Sequence, residues 1–209
     1  MFLAAIGRPR SNFDGRVALI PLVEKKVQQK TSCVRQAGEE FEAPITMGKK
    51  EFISLMMNKV VPQAVVKARG WARKIVIQMD NAGGHGGARD RTKGTLATLQ
   101  QWAERQYAGS GIQFLFRSQP ARSPDLNALD LGAWTSLNAV TQKVKLEGQY
   151  NEGGTQVERL RRRVEEAWEE WGSREKIGAI FQTLELVWKL VVQHEGDNRF
   201  LIPHSCQEK

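Results

Sequence analysis

The chain has few of the residues that build covalent or soft-metal frameworks: 2 cysteines and 3 histidines in 209 residues. Cys33 and Cys206 lie far apart and form no metal-binding spacing, so a zinc module is excluded and a reducing compartment is expected. No run of 18 apolar residues occurs, which excludes a membrane-spanning helix. Met1 to Arg10 is too short for a secretory signal, and its charges follow the apolar stretch instead of preceding it. The glycines between Asn81 and Gly87 match neither the dinucleotide fingerprint nor a P-loop, because the GxGxxG register and the terminal Lys-Ser/Thr are both missing. No internal repeat is evident.

What is present fits a globular core of one domain, with 41% hydrophobic and 26% charged residues. The net charge of +8 is unevenly placed. Residues 1–75 hold 14 Lys/Arg against 6 Asp/Glu, whereas residues 141–209 hold 11 against 12. Clustered positive charge attracts a polyanion by releasing its counterions, so nucleic acid is the expected partner. Arg8, Arg10, Arg16, Lys25, Lys26 and Lys30 are the candidate contacts. A merely solvated basic surface is the alternative.

Periodicity predicts a strand at Phe2 to Ile6, a hairpin turn at Asp14-Gly15 and a return strand over Val17 to Val23. Lys25 to Pro44 has no period and reads as a loop or extended arm. Lys49 to Ala68 reads as a helix kinked or split by Pro62. Lys74 to Met79 is a β-branched apolar run typical of a strand buried on both faces. A helix over Thr95 to Tyr107, a strand over Ile112 to Phe116 and a helix over Leu126 to Val144 follow. Thr155 and Glu158 have capping-box spacing and open a helix with the stripe Val157, Leu160, Val164, Trp168 and Trp171. Ser173 caps a last helix bearing Ile177, Ile180, Phe181, Leu184, Trp188 and Val191 inward. Arg161 to Arg163, balanced by neighbouring glutamates, reads as a salt-bridged, solvated face. Strands mixed with helices argue an α/β or α+β sheet covered by helices.

Two acids end the most ordered stretches. Asp80 directly follows the strand at Lys74 to Met79, at the end where α/β proteins build sites. Asp130 lies one turn into the helix announced by Ser123-Pro124. Hard anionic oxygens on rigid elements hold Mg²⁺, and a pair of such ions activates a nucleophile and stabilises a leaving oxygen. The alternatives are a turn residue for Asp80 and a dipole-favoured first-turn acid for Asp130. His85 is placed either to touch a phosphate or to serve structure, and Asp125 and Asn127 read as caps.

The block Gln78-Met79-Asp80-Asn81-Ala82 with His85, followed by Gln119 to Asp130 and Leu131-Gly132-Ala133-Trp134, resembles the catalytic domain of Tc1/mariner-type DNA transposases of the DDE superfamily. The opening residues through Gly15 and the ending Asn198 to His204 share the resemblance, so it spans nearly the whole chain. It implies an RNase H-like fold over residues 1–145 with a helical extension over residues 146–209 packed on it. It also implies Mg²⁺ or Mn²⁺, a DNA partner, a nuclear location and a homodimer in intact members. By motif position Asp80 is the second metal-binding acid and Asp130 the third, with Asn81 and His85 as accessory residues. The 49 residues between the two acids exceed the family's usual spacing, which points to an insertion over Gly83 to Gly94. The family's first acid lies on a strand upstream of the one that opens this chain. The expectation is therefore a chain inactive by itself, with an open strand edge where that strand belongs. The alternative is a non-enzymatic, sequence-independent nucleic-acid-binding protein.

Overall fold

The computed structural model describes residues 1–10, 12–82, 94–146, 153–197 and 200. His85, most of the glycine-rich segment, Cys206 and the ending Asn198 to His204 (apart from Phe200) lie outside the described residues.

The first hairpin pairs β1 (Phe2–Ile6) antiparallel with β2 (Arg16–Pro21). Its turn needs Gly15: this residue has a φ of 106°, and a Cβ there would lie 2.7 Å from the Ile177 side chain and 2.9 Å from the Gly7 carbonyl. Leu22 interrupts the strand, is almost wholly buried, and donates its N–H to the Met1 carbonyl at 2.9 Å. The chain then forms β3 (Val23–Val27), antiparallel to β4 (Glu40–Pro44). This two-stranded ribbon replaces the irregular arm expected over Lys25 to Pro44. Exposed Glu-Lys-Lys has no apolar alternation to betray a strand, and pairing with β4 holds it extended. Arg161 fixes the ribbon from outside by donating to Glu42 at 2.7 Å while also pairing with Glu165.

Lys49 to Ala68 is one continuous helical run in three parts: α1 (Lys49–Leu55), a π-helical turn (Met56–Val60) and α2 (Val61–Ala68). Pro62 stands at the start of α2, where its missing N–H and its ring are accommodated by the widened turn before it. Next come β5 (Lys74–Met79), α3 (Thr95–Gln106) and β6 (Gln113–Ser118), with β5 and β6 parallel and in register from Lys74–Gln113 to Met79–Ser118. A short 3-10 turn (Pro124–Leu126) and a π-helical turn (Leu129–Ala133) lead into α4 (Trp134–Leu146). The expected caps open the last two helices. Thr155 accepts from the Glu158 N–H and Glu158 from the Thr155 N–H at the start of α5 (Gln156–Trp171). Ser173 accepts from the Lys176 N–H at the start of α6 (Arg174–Gln193).

The β1–β2 hairpin lies between two apolar layers. Phe52, Met56, Val60, Val61, Leu99 and Ala103 from α1, α2, α3 and the turn between the first two pack with Ala18, Met79, Phe114 and Phe116. On the other side, α4, α5 and the α6 residue Ile177 enclose Trp168 and Trp171, with Ile6 and Leu19 of the hairpin against them. Among the described residues the six strands form three separate pairs, and β1 and β5 do not bond to one another. The chain is thus a mixed α/β protein of short sheets and helices, with helices on both sides of the first hairpin. Within α6 the inward set is shifted from expectation: Val187 is fully buried, while Trp188 is 48% exposed.

Arg16 ties the hairpin to α5. Its guanidinium donates to Asp14 at 2.8 Å, to Glu169 at 2.9 Å and to the carbonyls of Trp168 and Glu169. Burial pushes the Asp14 carboxyl up, but the Arg16 N–H and guanidinium outweigh it and hold the group below its usual value. A carboxylate depressed in this way stabilises the fold above its unfolded pKa, and that contribution is lost as pH falls through the folded value. Arg16→Ala should cost about 1–3 kcal/mol near neutral pH through lost charge-assisted hydrogen bonds. In thermal melts followed by circular dichroism, the gap between this variant and the parent should narrow as pH falls through the acid range.

Candidate active site

The parallel pairing of β5 with β6 places the ends of both strands together, and side-chain hydrogen bonds lock that end. Asn81 donates its Nδ2 to the Gln119 carbonyl at 2.6 Å, and the Gln119 N–H donates to the Met79 carbonyl at 2.7 Å. Gln119 in turn donates its Nε2 to the Ser123 carbonyl. Gln78 reaches across from β5 to donate to the Leu126 carbonyl at 2.6 Å. These amide side chains therefore form a brace: they fix the turn that precedes Asp130 against the strand that precedes Asp80.

Asp80 leaves β5 with its Oδ1 accepting from the Ala82 N–H at 3.1 Å, which turns the chain sharply after the strand. Asn127 orients the second acid. Its Oδ1 accepts from the Leu129 N–H at 3.0 Å, as a cap does, and its Nδ2 donates to Asp130 Oδ2 at 2.9 Å. Burial pushes the Asp130 carboxyl up, the Asn127 hydrogen bond pulls it back, and the negative charge of Asp80 pushes it up again, leaving it above its usual value. The two motif aspartates thus share one electrostatic environment, and both line the same cleft.

This donor set is oxygen only. Asp80 and Asp130 line one cleft, and Asn81 Oδ1, next in the chain after Asp80, is a buried acceptor with no hydrogen-bond partner among the described residues. Hard oxygens of this kind suit Mg²⁺ or Mn²⁺, which keep several waters and bind through one or two carboxylates. Among the described residues no group of three or more His, Cys, Asp or Glu forms.

The predicted basic contacts divide. Arg16 is committed within the fold, and Arg8 pairs with Glu185 of α6 at 2.8 Å. Lys25, Lys26 and Lys30 are exposed on or just beyond the β3–β4 ribbon, with Lys26 beside Glu24 at 3.0 Å, and Arg10 is exposed beyond the end of β1. Sequence reasoning missed Asn127 and Gln78 as positioning groups. The Asn-x-x-Asp spacing that places an amide one turn from an acid was the available signal.

Because the raised Asp130 pKa belongs to the folded state, its ionised form opposes folding at neutral pH and this cost vanishes below the ordinary carboxylate range. Asp130→Asn should therefore be slightly more stable than the parent at pH 7, by about 0.5 kcal/mol or less for a partly exposed group. Melting curves from neutral to acid pH should show this gain closing as pH falls; a gain that grows in acid refutes the assignment.

Comparison of the chain with family models, with curated proteins and with solved structures finds no match.

Proposed function

We propose that the chain is a transposase-derived DNA-binding domain of RNase H-like architecture, with Asp80 and Asp130 as two acids of a metal-dependent phosphodiester site. The observation that carries this reading is the meeting of the two motif aspartates at the carboxyl end of a parallel strand pair, close enough for one charge to raise the pKa of the other. The antiparallel β1–β2 pair with helices on both sides and the parallel β5–β6 pair with its helical crossover support that reading.

In this reading Asp80 and Asp130 would hold Mg²⁺ or Mn²⁺, and the ion would supply positive charge to phosphate oxygens. Asn127 keeps the Asp130 carboxylate aimed into the site, and the Asn81–Gln119 and Gln78–Leu126 bonds hold the two supporting elements together. The exposed lysines of the ribbon attract the DNA backbone. Strand cleavage by paired ions needs a further acid, and among the described residues none joins Asp80 and Asp130, so in this reading the chain binds DNA without cutting it.

A second reading, nucleic-acid binding with no metal chemistry, is favoured by the ribbon itself. It carries Lys25 and Lys26 on a strand with little apolar surface to bury, and four of its five residues are exposed.

Manganese titrated by electron paramagnetic resonance should bind at about millimolar affinity, as expected for so few charged ligands, and binding should be lost in Asp80→Asn and in Asp130→Asn. Anisotropy with duplex DNA should show sequence-independent binding that weakens steeply between low and physiological salt. Combined Lys25→Ala, Lys26→Ala and Lys30→Ala should reduce both the affinity and the salt slope. Supercoiled plasmid should stay intact with Mg²⁺ or Mn²⁺. Nicking that disappears in Asp80→Ala would show that a complete site assembles; metal-independent DNA binding alone would select the second reading.

A further inference from the structure

Another cavity, of about 350 Å³, opens between α4 and α5 and shares no lining residue with the cleft that holds Asp80 and Asp130. The two helices run antiparallel. Ser136, near the start of α4, accepts from the indole N–H of Trp171, at the end of α5, at 2.8 Å, while Thr141 to Lys145 face Gln156 to Arg163. Thr141, Gln142 and Lys145 stand at i, i+1 and i+4 on α4, and Gln156, Arg159 and Arg163 at i, i+3 and i+7 on α5. Each set therefore falls on one helix face, and the two faces converge on the cavity. The apolar seam of Leu137, Val144, Ala167 and Trp168 holds the helix pair as a rigid unit.

Among the described residues the lining carries three cations, Lys145, Arg159 and Arg163, and no acid. The glutamates of α5 serve elsewhere. Glu158 caps the helix and accepts from the Glu42 N–H, Glu165 pairs with Arg161, Glu169 with Arg16 and Glu170 with Lys143. Glu166 does not line the cavity. The Arg159 guanidinium donates to the Gly154 carbonyl at 2.6 Å, a neutral oxygen that leaves its charge acting on the cavity. The negative end of α4 and the positive end of α5 lie together, so their dipoles offset and the side chains set the sign of the field. Three like charges that converge on one concavity make a local well for an anion.

We infer that this cavity is a binding site for a diphosphate group, free or borne by a nucleoside. A terminal diphosphate carries roughly three negative charges near neutral pH, matching the three cations, whereas a monophosphate carries at most about two. Guanidinium forks from Arg159 and Arg163 suit adjacent phosphate oxygens, and Lys145, exposed at the rim, adds a point charge. Thr141 spends its hydroxyl proton on the Leu137 carbonyl, so Gln142 and Gln156 are the neutral donors. Leu160, 48% exposed, gives an organic carrier an apolar rest. Duplex DNA suits the cavity less well, because its phosphates are spread along a convex backbone and do not converge into a concavity. The inference needs neither Asp80 and Asp130 nor the ribbon lysines.

The test is calorimetric titration of the whole 209-residue chain in metal-free buffer containing a chelator. Inorganic pyrophosphate and ADP should both bind, with dissociation constants on the order of 100 μM. AMP should bind at least about tenfold more weakly, and adenosine should give no heat. ADP tighter than pyrophosphate assigns a nucleotide; equal affinities assign the free diphosphate. Lys145→Glu and Arg159→Gln should each weaken both diphosphates at least about tenfold while their melts stay cooperative. Lys50→Glu, at an exposed position of α1 and with the same change in net charge as Lys145→Glu, should leave binding unchanged. Failure of both diphosphates to bind overturns the inference, as does weakening by Lys50→Glu equal to that by Lys145→Glu. Duplex-DNA affinity lost in Lys145→Glu without any diphosphate binding also overturns it, since the cavity is then part of a DNA-binding surface. Diphosphate binding by a chain that binds no DNA would sink the proposed function and leave this inference standing.

Discussion

The parallel pairing of β5 with β6 is the constraint on which the rest of the molecule depends. Two parallel neighbours cannot be joined by a tight turn, so the connection between them must cross over, and α3 provides that crossing by packing on β6 through Leu99 and Ala103 against Phe114 and Phe116. The same pairing brings the carboxyl ends of both strands to one edge of the molecule. Asp80 and the turn after Gln119 consequently meet without either being aimed at the other by its own local sequence. The amide bonds from Asn81, Gln119 and Gln78 then hold Asp130 in place, and the mutual repulsion of the two acids is the electrostatic mark of that convergence.

The second organising feature is that helices, not strands, hold the two halves of the strand layer together. Phe52, Met56 and Val60 span from below, and the cluster of Trp168, Trp171 and Ile177 anchors the hairpin from above through Ile6 and Leu19. Arg16 adds a polar tie between hairpin and α5, and Arg161 a second one between α5 and the β3–β4 ribbon. Among the described residues no strand bonds between β1 and β5, and a cleft lined by both strands and by apolar helix residues lies there.

Much of the local structure was legible because local rules suffice for it. The β-branched run from Lys74 to Met79 reads as a strand, and it is one, with the same limits. Thr155 with Glu158, and Ser173, are caps because their oxygens satisfy N–H groups a turn away, which needs no tertiary partner. The ribbon was not legible, since Lys25 and Lys26 alternate with nothing apolar and only pairing to β4 extends them. The π-helical turn before Pro62 was not legible either: a proline announces disturbance, but whether the helix breaks or widens depends on what packs beside it. Arg8 and Arg16 looked like part of a basic surface, yet their partners Glu185 and Glu169 lie more than 150 positions away.

What the sequence determined by itself is the set of elements and the identity of the two candidate acids, because periodicity, caps and strand-end position act over a few residues. Their convergence was decided by tertiary structure, since Asp80 and Asp130 influence one another only once β5, α3 and β6 have wound into a parallel unit. The cleft belongs wholly to that level. Val76 sits in a run with the composition of a strand buried on both faces, yet it is exposed on the β5 side of the cleft, where no strand among the described residues bonds between β1 and β5. Hydrogen bonding between strands is non-local, so no window of sequence records which edges find a partner and which remain open.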